Sequence, residues 1–277
     1  MAKIIRSAKS AKDWSANELA AYNITIKMRG VTEFFGHELC SDDLIDPGLL
    51  LSSHDPLPTE ISTEARLFLR YLNLILRKSE DSFLNDFALN VLQAIGFDRH
   101  DNASLLVLCT FPFTICGDIN RKASPDILVT TNHIMPMILF LVQRKKPTTG
   151  PSGPEPPLIA EAIAAFQSNN QSRIKMGLPA LDKMSIPCIT VEGTRPLFYK
   201  VPVTQRLSDC VTLGQFPEEQ TVVTCCGPPP PSEAHVGMES LDYRRTALRY
   251  YYTFRDLAED CWTHILTDCE GKCFHSE

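Results

Sequence analysis

The sequence predicts an α/β domain: a mixed central sheet flanked by helices, with an N-terminal helical elaboration and a long C-terminal helix. Three observations predict it. Apolar residues recur at helical spacing over Thr59–Arg77 and again over Ser79–Ile95. The pattern then changes to short β-branched or continuously apolar runs between 105 and 142. A further helix, two strands and a last helix follow, an alternation that places helices on both faces of one sheet. The 277 residues are 44% hydrophobic and 22% charged. This ordinary globular usage excludes a disordered, collagenous or coiled-coil chain.

Taken in order, residues 13–29 predict a short helix running into an extended piece, capped by Asp13 or by Ser15, with Glu18 three residues after Ser15 at capping-box spacing. Residues 40–60, rich in Asp, Pro, Ser and Gly, predict a loop. In Thr59–Arg77 the apolar stripe is Ile61, Ala65, Phe68, Leu69, Leu72 and Ile75. In Ser79–Ile95 it is Phe83, Leu84, Phe87, Val91, Leu92 and Ile95, and Gly96 closes the helix. Leu105–Cys109 and Pro112–Cys116 predict strands, Asp118–Ala123 a polar turn, and Ile127–Thr131 a β-branched strand. Met137–Val142, apolar throughout, predicts a strand buried on both faces. Lys146–Pro157 carries five prolines and two glycines and predicts a loop. Leu158–Arg173 predicts an Ala-rich helix with Ile159, Ala162, Ile163, Phe166 and Ile174 on one side. Ile186–Val191 and Leu197–Val203 predict a strand pair around Gly193–Pro196. Cys226–Ser232 predicts a surface loop or linker, and Glu239–Leu266 a long amphipathic helix. The expected division is 1–78 for the elaboration, 79–266 for the core with its last helix, and 267–277 for a Cys-rich tail.

Net charge is −6. Proteins that hold duplex DNA by charge alone are usually basic, so any nucleic-acid contact must be a local basic patch. No apolar run approaches the roughly 20 residues needed to span a bilayer, so no membrane partner is expected. The first 22 residues show no apolar signal segment, and the ten cysteines are then expected as thiols in a cytoplasmic or nuclear protein. The basic start, with Lys3, Arg6, Lys9 and Lys12, predicts a solvated tail; a transit peptide or a phosphate-contacting arm are the alternatives.

The segment that carries chemistry is Ser124-Pro125-Asp126, followed by Gln143-Arg144-Lys145-Lys146. Asp126 opens one strand and the 143–146 cluster ends the next and most buried one. A carboxylate beside a lysine at a strand end suits a hard divalent cation with an ammonium that positions hydroxide. Residues i and i+2 share a strand face, so Gln143 goes with Lys145, or Arg144 with Lys146.

This arrangement resembles the PD-(D/E)XK (restriction-endonuclease-like) nuclease superfamily. Its core of helix, three strands, helix and strand matches residues 79–203 in order. The resemblance implies Mg²⁺ or Mn²⁺ as cofactor, with Asp126 as metal ligand and catalytic residue. It puts Gln143 at the acidic position, where some branches carry Gln, and Lys145 at the lysine position that orients the attacking water. The other register puts Arg144 and Lys146 there. Either way the second strand carboxylate is absent. Supporting roles fall to Asp86 or Glu80 on the preceding helix, and to Glu161 and Gln167 on the following one; a solvated helix face is the alternative for each. Arg144, Lys146, Arg173 and Lys175 would contact phosphates of a nucleic acid. Over roughly residues 14–262, DWSANELAAYNI, FTICGD, IAEAIAAFQSNN and IPCITVEGTRPLFYKVPVT are also similar to a large family of proteins from mushroom-forming fungi, a likeness that implies architecture and no activity.

Other motifs carry less. Cys269, Cys273 and His275, with Cys261 and His264 upstream, can supply zinc ligands but lack a C-x2-C hook. Cys225-Cys226 predicts an exposed loop, and Cys109, Cys116 and Cys188 predict small core residues. His133 lies between the two key strands. No Gly-rich phosphate loop and no nucleophile elbow is present. Two functions follow as expectations: metal-dependent phosphodiester hydrolysis of nucleic acid, or a catalytically inactive interaction protein on the same fold.

Overall fold

The computed structural model describes residues 6–52, 58–77, 81–98, 103–131, 136–144, 153–230 and 236–273, with the backbone alone at 76, 77, 81, 82, 144, 264 and 266–273. Its elements in chain order are α1 (Ala16–Ala21), β1 (Ile24–Met28), α2 (Val31–Phe35), α3 (Thr63–Arg77), α4 (Asp81–Ile95), β2 (Ala103–Val107), β3 (Phe111–Ile115), β4 (Asp118–Ala123), β5 (Ile127–Thr131), β6 (Ile138–Arg144), α5 (Glu155–Lys175), β7 (Lys183–Glu192), β8 (Arg195–Thr204), α6 (Gln205–Leu213), β9 (Thr221–Cys226) and α7 (Leu241–Cys273). Seven strands form one sheet in the order β1-β9-β8-β7-β6-β5-β2, and β3 and β4 form a small second sheet. The expected mixed sheet flanked by helices is therefore what the chain forms. None of the described helices is long and apolar enough to cross a membrane.

The centre of the sheet is a run of strands of alternating direction interrupted once. β2 and β5 are antiparallel, as are β5 and β6, whereas β6 and β7 run parallel with α5 as the crossover between them. A parallel pair needs such a crossover. Because β6 and β7 are covered on both faces, they read as continuous apolar runs. Phe140 packs on Phe97 at 5.0 Å and on Phe254 of α7 at 6.0 Å. On that same side Trp262 Nε1 donates to Leu139 O at 2.8 Å. α5 covers the opposite face.

Several elements differ from expectation for physical reasons. Asp118–Ala123 is a strand, not a turn: Cys116 (φ 50°) and Gly117 (φ 78°) make a tight reversal with two left-handed residues. The strand after it is exposed over most of its length, so no apolar alternation marks it. α5 starts at Glu155, within the expected loop, because prolines suit the first helical turn, whose N–H groups have no partner to lose. Ile174 is 62% exposed rather than inward. Cys225 and Cys226 are buried in β9 rather than lying in an exposed loop, and Cys109 and Cys116 are only half-buried. The N-terminal part is not only helical, since β1 joins the main sheet beside β9. Its basic start is not a solvated tail over the described residues. Arg6 Nε donates to Ala21 O at 2.9 Å, Lys9 pairs with Glu18, and Trp14 is buried and stacks on Tyr22 at 5.4 Å. The Ser15–Glu18 capping box and the Gly96 cap form as predicted. The last helix runs through 266 to Cys273.

α7 is anchored by one buried cation. Arg244 donates through Nε to Met238 O at 2.6 Å, and through its terminal nitrogens to Leu51 O at 2.7 Å and Leu49 O at 3.3 Å. It thereby ties the segment before α3 to the start of α7. Arg244→Met keeps the bulk but leaves these buried carbonyls without a donor. It is expected to lower stability by about 2–4 kcal/mol in urea unfolding, whereas Arg245→Met, on the exposed face, changes it by less than about 0.5 kcal/mol.

Candidate functional site

The site begins with helix α5. Residues 158–166 are buried on every side, so a polar side chain among them survives only with a partner. Two such side chains pin the helix along β6. Near its C-terminal half, Asn169 accepts from Ile138 N and donates to Ile138 O, both at 2.7 Å. Eight residues earlier, about 12 Å along the axis, Glu161 meets the other end of β6. With its NH₂ turned toward the carboxyl, Gln143 donates to Glu161 Oε2 at 3.1 Å and Oε1 at 3.3 Å. The Ser124 backbone N–H also donates to Glu161. Glu161 thus ties the Ser124-Pro125-Asp126 segment to the end of β6.

Asp126 stands beside it. It opens β5, its N–H donates to Val142 O at 3.1 Å, and its carbonyl accepts from Leu108 N at 3.2 Å. Both acids are buried: Asp126 is 8% exposed and Glu161 1%. Burial first, and then the neighbouring Asp126 charge, hold the Glu161 carboxyl well above the ordinary carboxylate range, while the Ser124 amide opposes them. Cys188, on β7, lies close enough that burial and then Glu161 push its thiol well up. The site is therefore a buried acidic cluster: two carboxyls and one amide, from β5, α5 and β6.

Of the residues predicted for the site, the structure brings together Asp126, Gln143 and Glu161, and it places Gln143 on the face toward α5. Lys145, Lys146, Glu80 and His133 lie outside the described residues, as does the side chain of Arg144. Gln167 does not face the site. Its amide accepts from Thr114 N and donates to Thr114 O, both at 3.0 Å, and reaches Thr212 at 3.2 Å, bracing β3 against α5 and α6. Arg173 is not a phosphate contact: it is buried, and its Nε donates to Pro179 O at 2.9 Å. Lys175 is exposed, but it lies fourteen residues, about 21 Å of helix, beyond Glu161. Asp86 sits on α4, which packs on α3 and α7. The side chains of Cys269, Cys273 and His275 lie outside the described residues. Among the described residues no group of three or more His, Cys, Asp or Glu is placed to hold a metal ion.

Sequence reading missed Thr190, Tyr199 and Glu155. Thr190 is the register partner of Gln143 across the parallel β6–β7 pair. Its hydroxyl donates to Tyr199 Oη at 3.3 Å, and Tyr199 Oη to Glu155 Oε1 at 3.4 Å. Strand register is set by pairing, so nothing in the local sequence marks Thr190; Glu155 was hidden among prolines.

The raised Glu161 carboxyl has a stability consequence. Between its unfolded value of 4.5 and its higher folded value, the folded state holds a proton that the unfolded chain has released. Stability therefore falls as pH rises through that window. Glu161→Gln removes this slope and keeps the shape. Urea midpoints of wild type and Glu161→Gln are expected to converge below pH 4.5 and to separate toward pH 8, with the variant the more stable.

No protein-family model matches the chain, and no curated protein matches it significantly.

Proposed function

We propose that this chain is a PD-(D/E)XK-like domain that hydrolyses phosphodiester bonds of nucleic acid with Mg²⁺ or Mn²⁺. The observation that carries this reading is the convergence of Asp126 and Glu161, both buried, with Gln143 where the start of β5 meets the end of β6 inside the sheet. Two carboxyls drawn out of water side by side are unfavourable unless a proton or a cation compensates them. The succession α4, β2, β5, β6, α5, β7, with β6 and β7 parallel, also supports it.

The donor set fits the group. Carboxylate and amide oxygens are hard ligands of the kind Mg²⁺ and Mn²⁺ take. The carboxylate missing from the third core strand has a counterpart on α5: Glu161 stands where Gln143 lacks charge. Asp126 and Glu161 would hold the cation, and Gln143 would orient Glu161 through its amide. Bound there, the metal would lower the pKa of a water and neutralise charge developing on the phosphate. The resemblance gives Lys145 the task of positioning that water. Glu161 gives up its proton when the cation binds, so binding strengthens with pH.

One observation favours a second reading, a catalytically inactive interaction protein. Both Glu161 oxygens are already satisfied by Gln143 and Ser124, as in a structural acid that braces β5 and β6.

Cleavage assays on single- and double-stranded DNA and RNA separate the two. Wild type is expected to cleave with Mn²⁺ and not with EDTA. Asp126→Ala and Glu161→Gln are each expected to lose about 100-fold or more while unfolding cooperatively. Absence of cleavage by folded wild type with either metal moves the assignment to the second reading.

A further inference from the structure

Beside the acidic cluster lies a second feature. A cleft of about 230 Å³ opens between the start of α5, the ends of β7 and β8, the proline segment after β9 and the start of α7. Glu155, Thr190, Arg195, Tyr243, Pro228 and Pro230 line it. It adjoins the site directly, because Thr190 and Gln143 are register partners on neighbouring strands, which lie about 4.8 Å apart.

The chemistry of the lining is selective. Glu155 accepts from Tyr199, and carboxylate oxygens retain further acceptor capacity beyond one such bond. The second acid in the wall, Glu192, is matched by Arg195 at 3.6 Å. Proline and tyrosine side chains supply apolar stretches of wall within a mixed lining. The volume lies below the roughly 300–1,000 Å³ of clefts that take drug-sized ligands, so it suits a single ring system. A group that stacks on such walls and presents paired N–H donors to one carboxylate is either a guanine edge or a guanidinium.

We propose that this cleft is the subsite for one guanine base of the nucleic acid whose backbone lies at Asp126 and Glu161, with Glu155 accepting from the base's N–H edge. Continuity with the phosphodiester site selects guanine over an arginine side chain. The proposal rests on the nuclease reading for its substrate, but not for its test.

Binding of guanosine, adenosine and cytidine 5′-monophosphates and of agmatine to the full chain is measured in EDTA by calorimetry, apart from any cleavage. Guanosine monophosphate is expected to bind about fivefold or more tighter than the other two nucleotides and than agmatine. Glu155→Gln is expected to abolish that preference, and Glu155→Asp to weaken it, with unfolding curves confirming that both variants fold. Equal binding of all three nucleotides, no binding, or preference for agmatine overturns the subsite on wild type alone. Guanine preference without metal-dependent cleavage upholds the subsite and removes the hydrolase; cleavage without base preference does the reverse.

Discussion

The structure depends on a helix whose first half water does not reach. α5 crosses between the parallel strands β6 and β7 with its first half buried on all sides. Every polar group it carries must then find a partner in the protein, because an unpaired buried group is strongly unfavourable. Asn169 takes both backbone groups of Ile138. Asn170 accepts from Leu181 N and donates to Leu181 O. Gln167 holds Thr114, and Glu161 holds Gln143 and Ser124. Together these bonds set how far along β6 the helix sits and how it is rotated.

The candidate site follows from that placement. Glu161 is held above the start of β5 by the same bonds that satisfy it, and Asp126 is there because β5 begins there. Their proximity in a dry setting is an electrostatic conflict that a proton on Glu161 relieves and that, on the proposed reading, a cation would relieve at higher pH. A structural acid and a metal ligand have the same address in this fold. What separates them is whether Glu161 exchanges its proton for a cation.

The other face is held by different means. Aromatic side chains carry it: Phe198 touches Tyr251 at 5.1 Å and Phe254 at 4.8 Å, and Phe140 bridges Phe97 and Phe254. Arg244 then fixes the start of α7 through backbone carbonyls. Apolar contact on one side and directional bonds on the other leave one end of the central strands, at Asp126, Gln143 and Thr190, as a place where polar groups gather.

Much of the architecture was legible in sequence because its signals are local. The capping box at Ser15, the glycine after α4, the apolar run of β6 and the Gly193 turn between β7 and β8 each announce themselves over a few residues. Asp126 and Gln143 could be singled out because each stands at the end of a strand, whereas Glu161 came, with Gln167, from the family resemblance alone. The elements without such signals are those that the local sequence does not announce: β4 is exposed, and the start of α5 is written in prolines. Partnership, by contrast, is a property of the folded chain. Gln167 and Arg173 look like solvent-facing polar residues in a helix, and it is the crowding around α5 that turns them inward as braces. Local sequence sets which residue types stand at the start of β5 and the end of β6. Pairing register and helix rotation decided that Glu161 rather than Gln167 meets Asp126, and that Thr190 lies beside Gln143, because those distances belong to contacts between segments far apart in the chain.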